Sequence, residues 1–521
     1  MPERRGVRRV ARMPIGRVPS ELLAATTTVG FLLAATPASA DNLFVAPSLL
    51  WRETYTDNAT FGISQQAQND VISELIPSLV LFGLTKNLQV SVNMQVDAID
   101  YLHGTEPSGL LPTGGVEATF QGLDQHFFLD ASALATQGRE NVYAATPAGP
   151  STYNVFTTEA YRASPYVKGE LPGNVLYLIR SDNFLQRAFG TYAAVVDSRL
   201  TMQSIDLDHI PRPLGWSVHG EASQTNYTSS TTPIIRQELA VGIVKVAPDP
   251  QLVISGRGGI EQEDYLVDTQ PSSVYGGGLE WRPDDRTSLE GLGQHRFYGT
   301  QWDYGFKHRE HFLAVTFSGG RDVVTSAQTV FALPVGGDMA ALLDSILLPD
   351  HPDPVERAGA VQALLAQQNL PNTLAAGSTI YAPAPVLLTS NKGALTWIAT
   401  RDTISLSGYQ MRTQLVPAAI NPQYIVVSEA DQNNQFGADL TFTHHLTPAT
   451  SLIADGRASK ILGIGSTSGQ YTRQNALTLQ LSNALSPRTN AFVGGRLQAI
   501  ESNITPEARE KAVLAGLSHR F

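Results

Sequence analysis

The stretch LQVSVNMQVDA, residues 88–98, alternates apolar and polar side chains without interruption. Successive side chains of an extended strand point to opposite faces, so the apolar residues share one face and the polar residues the other. A strand of a soluble β-sandwich, with a core face and a water face, has the same pattern. This stretch therefore predicts a β-strand with two unlike faces, and the rest of the sequence must show which solvents they meet.

The first 40 residues have the order of a secretory signal peptide. Six arginines precede a largely apolar run from Leu22 to Ala35, and Ala38-Ser39-Ala40 forms a small-residue cleavage site. The basic region is long, which leaves Met13 as an alternative start and an N-terminal amphipathic helix as an alternative structure. We predict a signal peptide over 1–40 and a mature, exported chain over 41–521 that forms one domain.

Composition narrows the class of protein. The chain has a net charge of −11 and no cysteine, and charged residues make up only 16% of it, against about 25% in ordinary soluble domains. The acidic excess argues against a nucleic-acid partner, and the fold cannot depend on disulfides. After residue 40, no stretch approaches the roughly 20 apolar residues of a membrane-spanning helix. Abundant neutral polar residues suit a surface that faces lipid on one side and water on the other.

The alternating pattern recurs along the mature sequence, in runs of about 8 to 12 residues, close to the length with which a tilted strand crosses a bilayer. Examples are the runs that start at Leu214, Leu239, Phe436 and Leu477. Short turns such as 84–87, 172–174 and 486–488 alternate with longer polar connections such as 137–156 and 415–433. This arrangement predicts an all-β, antiparallel transmembrane barrel of about 22 strands, with a range of about 18 to 24.

Aromatic residues near strand ends fit this interpretation. Trp216, Trp281 and Trp397 each lie close to a predicted short turn. Tryptophan favours the interface between membrane and water, so these residues predict part of an aromatic girdle, although a chance placement near strand ends is the alternative. The chain ends at Phe521, and a final strand that closes with phenylalanine resembles the signal that the outer-membrane barrel assembly machinery recognises.

One long connection, from about 320 to 388, contains helical patterns. Apolar residues repeat at helical spacing over 338–348 and again over 353–368, with Asp338 and Asp353 as predicted N-caps and Pro354 at a first helical position. We therefore predict a helical insertion over about 334–376. It can fold inward as a plug or constriction, or pack on the outer rim, and the sequence leaves both open.

Motifs for catalysis and for metal or cofactor binding are missing from the sequence. It contains no P-loop, no G-x-S-x-G and no H-E-x-x-H. His308 and His311 flank a predicted hairpin turn at a spacing that directs them to opposite faces of a strand. Gly276-Gly277-Gly278 precedes a strand rather than a helix, which indicates a bend or a crowded lumen and not a phosphate site. We predict that the protein is not an enzyme and has no catalytic, metal or cofactor site.

Residues 276–310 carry a more specific signal. The strand-turn-strand pattern and the segment after it resemble outer-membrane barrels of the PEP-CTERM/exosortase system, which are encoded with genes for exopolysaccharide synthesis and export in Gram-negative bacteria. The residues that carry the resemblance are Trp281, Pro283, Arg286, Gly293, His295, Arg296, Phe297 and Gly299. The resemblance implies an outer-membrane location and possible partners in exopolysaccharide or PEP-CTERM export. It implies no catalytic residues.

The faces of this segment allow one physical hypothesis. If Leu289 faces lipid, so do Gly293 and His295, while Glu290 and Arg296 face the lumen. Arg296 and Glu290 are then expected to form a charged patch on the lumen wall. A pair that only fixes the strand register is the alternative.

The sequence thus predicts an integral barrel of the cell outer membrane that contacts lipid and serves the export of exopolysaccharide or PEP-CTERM proteins, as a channel or a scaffold. A general or weakly selective porin is the main alternative, and its acidic excess would favour cations or neutral sugars. An outer-membrane hydrolase is the third.

Overall fold

The computed structural model describes residues 42–521 except 62–66, 123–124, 140, 145–146, 150, 190–196, 229–231, 333–337, 369, 371–373, 379–383, 425–431 and 505. The predicted signal peptide lies outside the described residues. The first eleven strands are β1 Asn42–Thr56, β2 Asp70–Leu84, β3 Leu88–Tyr101, β4 Gly109–Gly122, β5 Phe127–Arg139, β6 Val155–Leu171, β7 Val175–Phe189, β8 Ser198–His209, β9 Leu214–Tyr227, β10 Ile235–Asp249 and β11 Leu252–Glu263.

The second half of the chain also consists mainly of strands. Its strands are β12 Ser272–Asp284, β13 Thr287–Arg296, β14 Gly299–Glu310, β15 Leu313–Val324, β16 Val386–Ile398, β17 Asp402–Gln414, β18 Asn433–His445, β19 Thr450–Gly463, β20 Tyr471–Ser486, β21 Thr489–Ser502 and β22 Ala508–Arg520. Between β15 and β16 lie the helices α1 Ser326–Phe331, α2 Asp338–Leu347 and α3 Pro354–Gln368, and a 3₁₀ turn covers Gly465–Thr467. The helical insertion is thus confirmed, with an additional short helix at its start.

The strands form one closed antiparallel sheet. Each strand pairs with the next along the chain, and β1 pairs with β22 over Ser48–Thr56, so the 22-stranded sheet has no free edge. Closure matters because an unpaired strand edge in hydrocarbon would leave its N–H and C=O groups without partners. The predicted antiparallel barrel of about 22 strands is confirmed.

The two faces of the wall differ as the alternation predicts. In β22, Val513 is 58% exposed on the outer face while Leu514 is 5% exposed on the inner face. In β3, Val92 packs with Leu81 and Val116 on the outer face. The tryptophans expected in the girdle, Trp216, Trp281 and Trp397, are all exposed and lie within three residues of a strand end.

The connections at the two ends of the barrel differ in length. At the end that holds the start of β1 and the end of β22, neighbouring strands are joined by two to four residues. At the other end, most connections are longer, and the longest runs from 325 to 385. Short turns face the periplasm in outer-membrane barrels and long loops face outward, which sets the orientation. The predicted turn at His308–Glu310 falls slightly later, at 311–312, because Glu310 still pairs with Leu313.

A glycine in β12 allows a close approach between this strand and β13. A Cβ atom on Gly276 would lie 2.3 Å from the carbonyl oxygen of Gly293 and 2.5 Å from the Cα atom of Gln294. We expect Gly276→Ala to force β12 and β13 apart and to lower stability by about 1–3 kcal/mol, measured by urea titration with a heat-modifiability gel assay. Gly291→Ala is the control, because no atom lies within 4 Å of its added Cβ. Equal stability of the two variants would contradict the prediction.

Candidate functional site

The lumen contains the insertion between β15 and β16. Its first helix, α1, lies against the inner wall of β6–β9. Ala327 and Val330 are buried with Phe184 and Leu200 in one apolar cluster, and Gln328 Nε2 donates to Gln237 Oε1 at 3.0 Å. The chain therefore leaves β15 and crosses the lumen to strands well separated from it around the ring.

A capping box fixes the start of α1. The Thr325 Oγ1 atom accepts a hydrogen bond from the Gln328 backbone N–H, and the Gln328 side chain accepts one from the Thr325 backbone N–H. Two N–H groups at the helix start are satisfied in this way, close to the extracellular ends of β9 and β15. Tyr227 and Ser326 add a contact between hydroxyl groups at 3.2 Å.

The second and third helices pack together near the periplasmic end of the lumen. Met339 and Leu343 of α2 are fully buried, and Leu365 of α3 joins them against Ala314 and Ala394 of the wall. Ala314 lies next to the periplasmic turn before β15, so the insertion descends through most of the barrel's height. Asp353 caps α3 as predicted, since its carboxylate accepts from two backbone N–H groups at 2.9 Å. The side chain of Asp338 lies outside the described residues.

Polar contacts anchor these two helices to the wall. Gln368, at the end of α3, accepts from Thr403 Oγ1 at 2.6 Å through its side chain and from Thr443 Oγ1 at 2.8 Å through its backbone carbonyl. Arg309 Nη1 of β14 donates to the Ser345 carbonyl of α2 at 3.0 Å. Because the anchors come from β14, β17 and β18, the helix pair is fixed to a wide arc of the periplasmic opening.

The return path follows the inner wall of β17 and β18. The Ala375 N–H donates to Ser407 Oγ at 3.0 Å, and Ser378 exchanges two hydrogen bonds with the Gln435 side chain, at 2.8 and 2.9 Å. On the other side of the helix pair, Gly359 lies against Phe44 of β1. The insertion is therefore a plug inside the lumen, and the alternative of packing on the outer rim is excluded.

The plug leaves a gap on one side. A cavity of about 740 Å³ separates α3 from the periplasmic turns that follow β16, β18 and β20, and Gln367, Arg401, His445 and Arg520 line it. Helix α3 is thus packed toward β1 and toward β17–β18 but loosely against the arc between them. This is the direction in which the helix pair has room to move.

Loops also cross the extracellular opening. The loop after β11 pairs with the loop after β17, through a bridge between Leu266 and Ile420 and a hydrogen bond from the Asn421 N–H to the Tyr265 carbonyl at 2.8 Å. Tyr143, in the loop after β5, has its carbonyl group hydrogen-bonded to Thr472 Oγ1 of β20 at 3.0 Å. The opening is therefore spanned by loops from distant strands.

Some of the charged side chains on the inner wall are held in ion pairs. Arg52 pairs with Glu74, which is fully buried, and Arg496 pairs with Glu510 at 2.7 Å with both side chains at most 7% exposed. Thr56 Oγ1 donates to the same Glu510 carboxylate at 2.8 Å, which connects β1, β21 and β22 near the closure of the barrel. These pairs join neighbouring strands of the wall, whereas other inward-facing charged residues, such as Glu117, Arg257 and Asp303, form no ion pair among the described residues.

The motif residues fall into two groups at opposite ends of the barrel. Trp281, Pro283 and Arg286 lie at the periplasmic end, where Arg286 Nη1 pairs with Glu310 at 2.8 Å. The other group lies in or beside the extracellular half of β13: Gly293, His295, Arg296, Phe297 and Gly299. His295 faces outward and stacks on Tyr275 with ring centroids 4.9 Å apart. The motif is therefore not one binding site.

Arg296 does not pair with Glu290, so the expected patch of these two residues is wrong. It pairs with Glu261 of β11, whose second carboxylate oxygen accepts the Phe297 N–H at 2.7 Å. The reason is the stagger of the strands, which brings Arg296 level with the extracellular end of β11 while Glu290 lies six residues further down β13.

Tyr298 completes this network. Its hydroxyl donates to Asp322 Oδ1 at 2.6 Å, and burial, together with the nearby carboxylate, raises the pKa of that hydroxyl, so it remains a donor. Gly299 has a φ of +105°, a conformation that favours glycine and closes the tight β13–β14 turn. Arg296 and its neighbours therefore hold this extracellular hairpin against β11 and β15.

The described residues give no positive evidence for a metal site or a spanning helix. No group of three or more histidine or acidic side chains in them could hold a metal ion. None of their helices has both the length and the hydropathy to cross a bilayer. His308 instead contacts Thr287 Oγ1 at 3.0 Å, and His311 lies in the turn, near Asp350.

A closed 22-stranded cylinder with exposed apolar residues on its outer face and ion-paired, hydrogen-bonded groups on its inner face defines an integral β-barrel of the Gram-negative outer membrane. No protein-family model matches the chain, and no curated protein matches it.

Several solved outer-membrane structures are similar in shape. A ferric enterobactin receptor variant from Pseudomonas aeruginosa is 11% identical, with 93% of this chain and 82% of that chain covered and a TM-score of 0.46. The FrpB iron transporter from Neisseria meningitidis is 9% identical, with 92% and 81% covered and a TM-score of 0.44. The siderophore receptor PirA from Pseudomonas aeruginosa is 10% identical, with 92% and 80% covered and a TM-score of 0.40. At these values the likeness does not bear on what this chain binds or transports.

Proposed function

We propose that the protein is an outer-membrane channel that is closed at rest by the plug between β15 and β16. The observation that carries the proposal is the set of anchors inside the lumen, from Gln237 of β10 to Gln435 of β18. A barrel of this width encloses a lumen large enough for water-filled passage or for a plug. A scaffold with no transport role would not need a plug that is joined covalently to the wall only at its two ends, through β15 and β16.

The plug is held in a way that allows release. Helices α2 and α3 share one apolar cluster of nine buried residues with the wall, and most of their other contacts are single hydrogen bonds such as those from Thr403 and Arg309. Each such bond contributes about 0.5–1.5 kcal/mol, so a partner or substrate that releases the plug must bind the open state tightly enough to offset these bonds and the apolar contacts. The cavity of 740 Å³ beside α3 provides space for the displacement.

We also propose that the channel serves exopolysaccharide export, or the export of PEP-CTERM surface proteins. The support is the resemblance of residues 276–310 and the composition of the inner wall, where hydroxyl and amide groups such as Thr403, Ser407 and Gln435 alternate with the outer apolar residues. Neutral hydrogen-bonding groups suit passage of a polyhydroxylated chain.

Planar-bilayer recording of the purified protein tests the closed state. We expect long silent periods with brief openings, because loops cross one opening and the plug occupies the other. A general porin, the main alternative, would give a steady current from each inserted molecule. Steady conductance of the unmodified chain would contradict the plugged-channel proposal.

The export pathway needs a separate test in the bacterium that encodes the chain. We expect deletion of the gene to trap polysaccharide in the periplasm and to remove it from the cell surface, and expression of the chain to restore it. Exosortase or polysaccharide-synthesis genes beside this gene would support the same assignment. Normal surface polysaccharide and normal PEP-CTERM proteins in the deletion strain would exclude it while leaving the plugged channel intact.

A further inference from the structure

Four basic residues form a row on the outer face of the barrel at the extracellular ends of β19–β22. They are Lys460, Arg473, Arg509 and Lys511, and all four are exposed. Lys460 and Arg473 are direct cross-strand partners, and Arg509 pairs with Ala499, two residues from the position opposite Arg473. Neighbouring strands are about 4.8 Å apart, so the row is compact.

Carboxylates lie beside the row, but within the described residues they form no ion pair with it. In the part of the chain that the structure describes, none of its four side chains forms an ion pair, whereas Arg236, Arg282 and Arg286 elsewhere on the surface do. Glu501 is the direct cross-strand partner of Arg473 and accepts from the Tyr471 hydroxyl at 3.1 Å, and Asp57 accepts from the Lys511 backbone N–H at 2.7 Å. Four basic side chains against Glu501, Glu507 and Asp57 leave a small positive excess here, on a chain with a net charge of −11.

Below the row, the same strands present an uneven apolar surface. Leu479, Leu497 and Val513 are 50–58% exposed, and they are interspersed with small outward residues such as Gly495 and Gly456, the second of which has open space where a side chain would lie. Small outward residues between larger ones leave room for acyl chains to lie against the strands. The basic row lies at the depth of the lipid headgroups of the outer leaflet, since the apolar band ends there.

We propose that the outer face of β19–β22 binds a phosphorylated, multiply acylated glycolipid of the outer leaflet. Its phosphates contact the basic row, where arginine offers bidentate hydrogen bonds and lysine a compact charge. Its acyl chains lie along the grooves between Leu479, Leu497 and Val513. Charge complementarity favours this occupant over an uncharged lipid, and the apolar band below the row favours it over free phosphate.

The test uses the full-length protein in detergent and native mass spectrometry with three probes: bisphosphorylated lipid A, its dephosphorylated form and inorganic phosphate. The variant K460Q/R473Q/R509Q/K511Q removes the row. The control K86Q/R282Q/R401Q/R488Q removes the same number of exposed basic residues at the periplasmic end. We expect the first variant to bind bisphosphorylated lipid A about tenfold more weakly, or worse, and the control to bind it like the unmodified chain.

Three outcomes would overturn the proposal. They are equal binding of the dephosphorylated lipid, the same loss in both quadruple variants, and displacement of lipid A by millimolar inorganic phosphate, which would indicate a site for the free ion. If the quadruple variant fails to assemble, the pair R473Q/K511Q replaces it, with R282Q/R488Q as its control. Binding by the unmodified chain is also expected to weaken as salt rises.

Discussion

Excision of α2 and α3 is expected to turn a mostly silent barrel into a steadily conducting pore. A short glycine-serine linker that joins Ala332 to Leu374 removes the helix pair from the periplasmic end and leaves α1 and all 22 strands in place. Because the pair packs against the wall near the periplasmic end of the lumen, we expect its loss to raise the mean bilayer current about tenfold or more. Uptake of a large antibiotic by cells that express the variant gives a second readout.

A point substitution tests release of the plug without the change in chain length that excision causes. Leu343 is fully buried between the helices and the wall, whereas Leu348, just after α2, is 41% exposed. Leu343→Asp places a carboxylate in an apolar site and is expected to free the plug and increase the open time. Leu348→Asp makes the same chemical change at the surface and should leave the current unchanged. An excised variant as silent as the full chain would show that the lumen is closed by something else.

Replacement of Arg296 by methionine is expected to destabilise the barrel strongly. The substitution leaves the Glu261 carboxylate fully buried with only the Phe297 N–H as a partner. Loss of one member of a buried ion pair costs about 3–5 kcal/mol, since the other charge is left uncompensated. Urea titration of the refolded barrel, followed by gel mobility before and after heating, measures this loss.

The control for this prediction is the double variant R296M/E261Q. Glutamine keeps an acceptor for the Phe297 N–H but carries no charge, so we expect the double variant to recover a large part of the lost stability. Recovery would establish that Arg296 fixes the extracellular hairpin against β11. Normal stability of Arg296→Met together with altered conductance would instead assign Arg296 to the passage itself.

The barrel could be predicted from the sequence because the patterns that indicate it lie within single strands and turns. Each strand shows its own alternation of apolar and polar residues, and the turns around 84–87, 172–174 and 486–488 contain turn-forming residues. The number of strands therefore follows from counting these segments. The alternation does not by itself identify which face meets lipid. In β10, the conspicuous series Leu239, Val241 and Ile243 faces inward, while Val244 and Val246 face outward.

The site was harder to predict because its contacts join residues far apart in the chain. The helical spacing over 338–368 shows that α2 and α3 have apolar faces but not what covers them, and the wall residues that do so include Ala314 and Ala394. Helix α1 is too short to show a period. The partner of Arg296 depends on strand stagger, which single-strand patterns do not encode.

The central claim is that the insertion lies inside the closed barrel, against its periplasmic end. Because the chain has no cysteine, single-site thiol chemistry can test it directly: Thr396 Oγ1 of β16 lies 3.9 Å from Met339 Sδ of α2. Cysteines at positions 339 and 396 are expected to join through a short bifunctional thiol reagent in intact outer membranes, whereas a pair at 339 and the outward-facing 397 is not. Failure of the first pair to react, with both cysteines labelled freely from the cell exterior, would place the insertion outside the lumen and contradict the plugged channel.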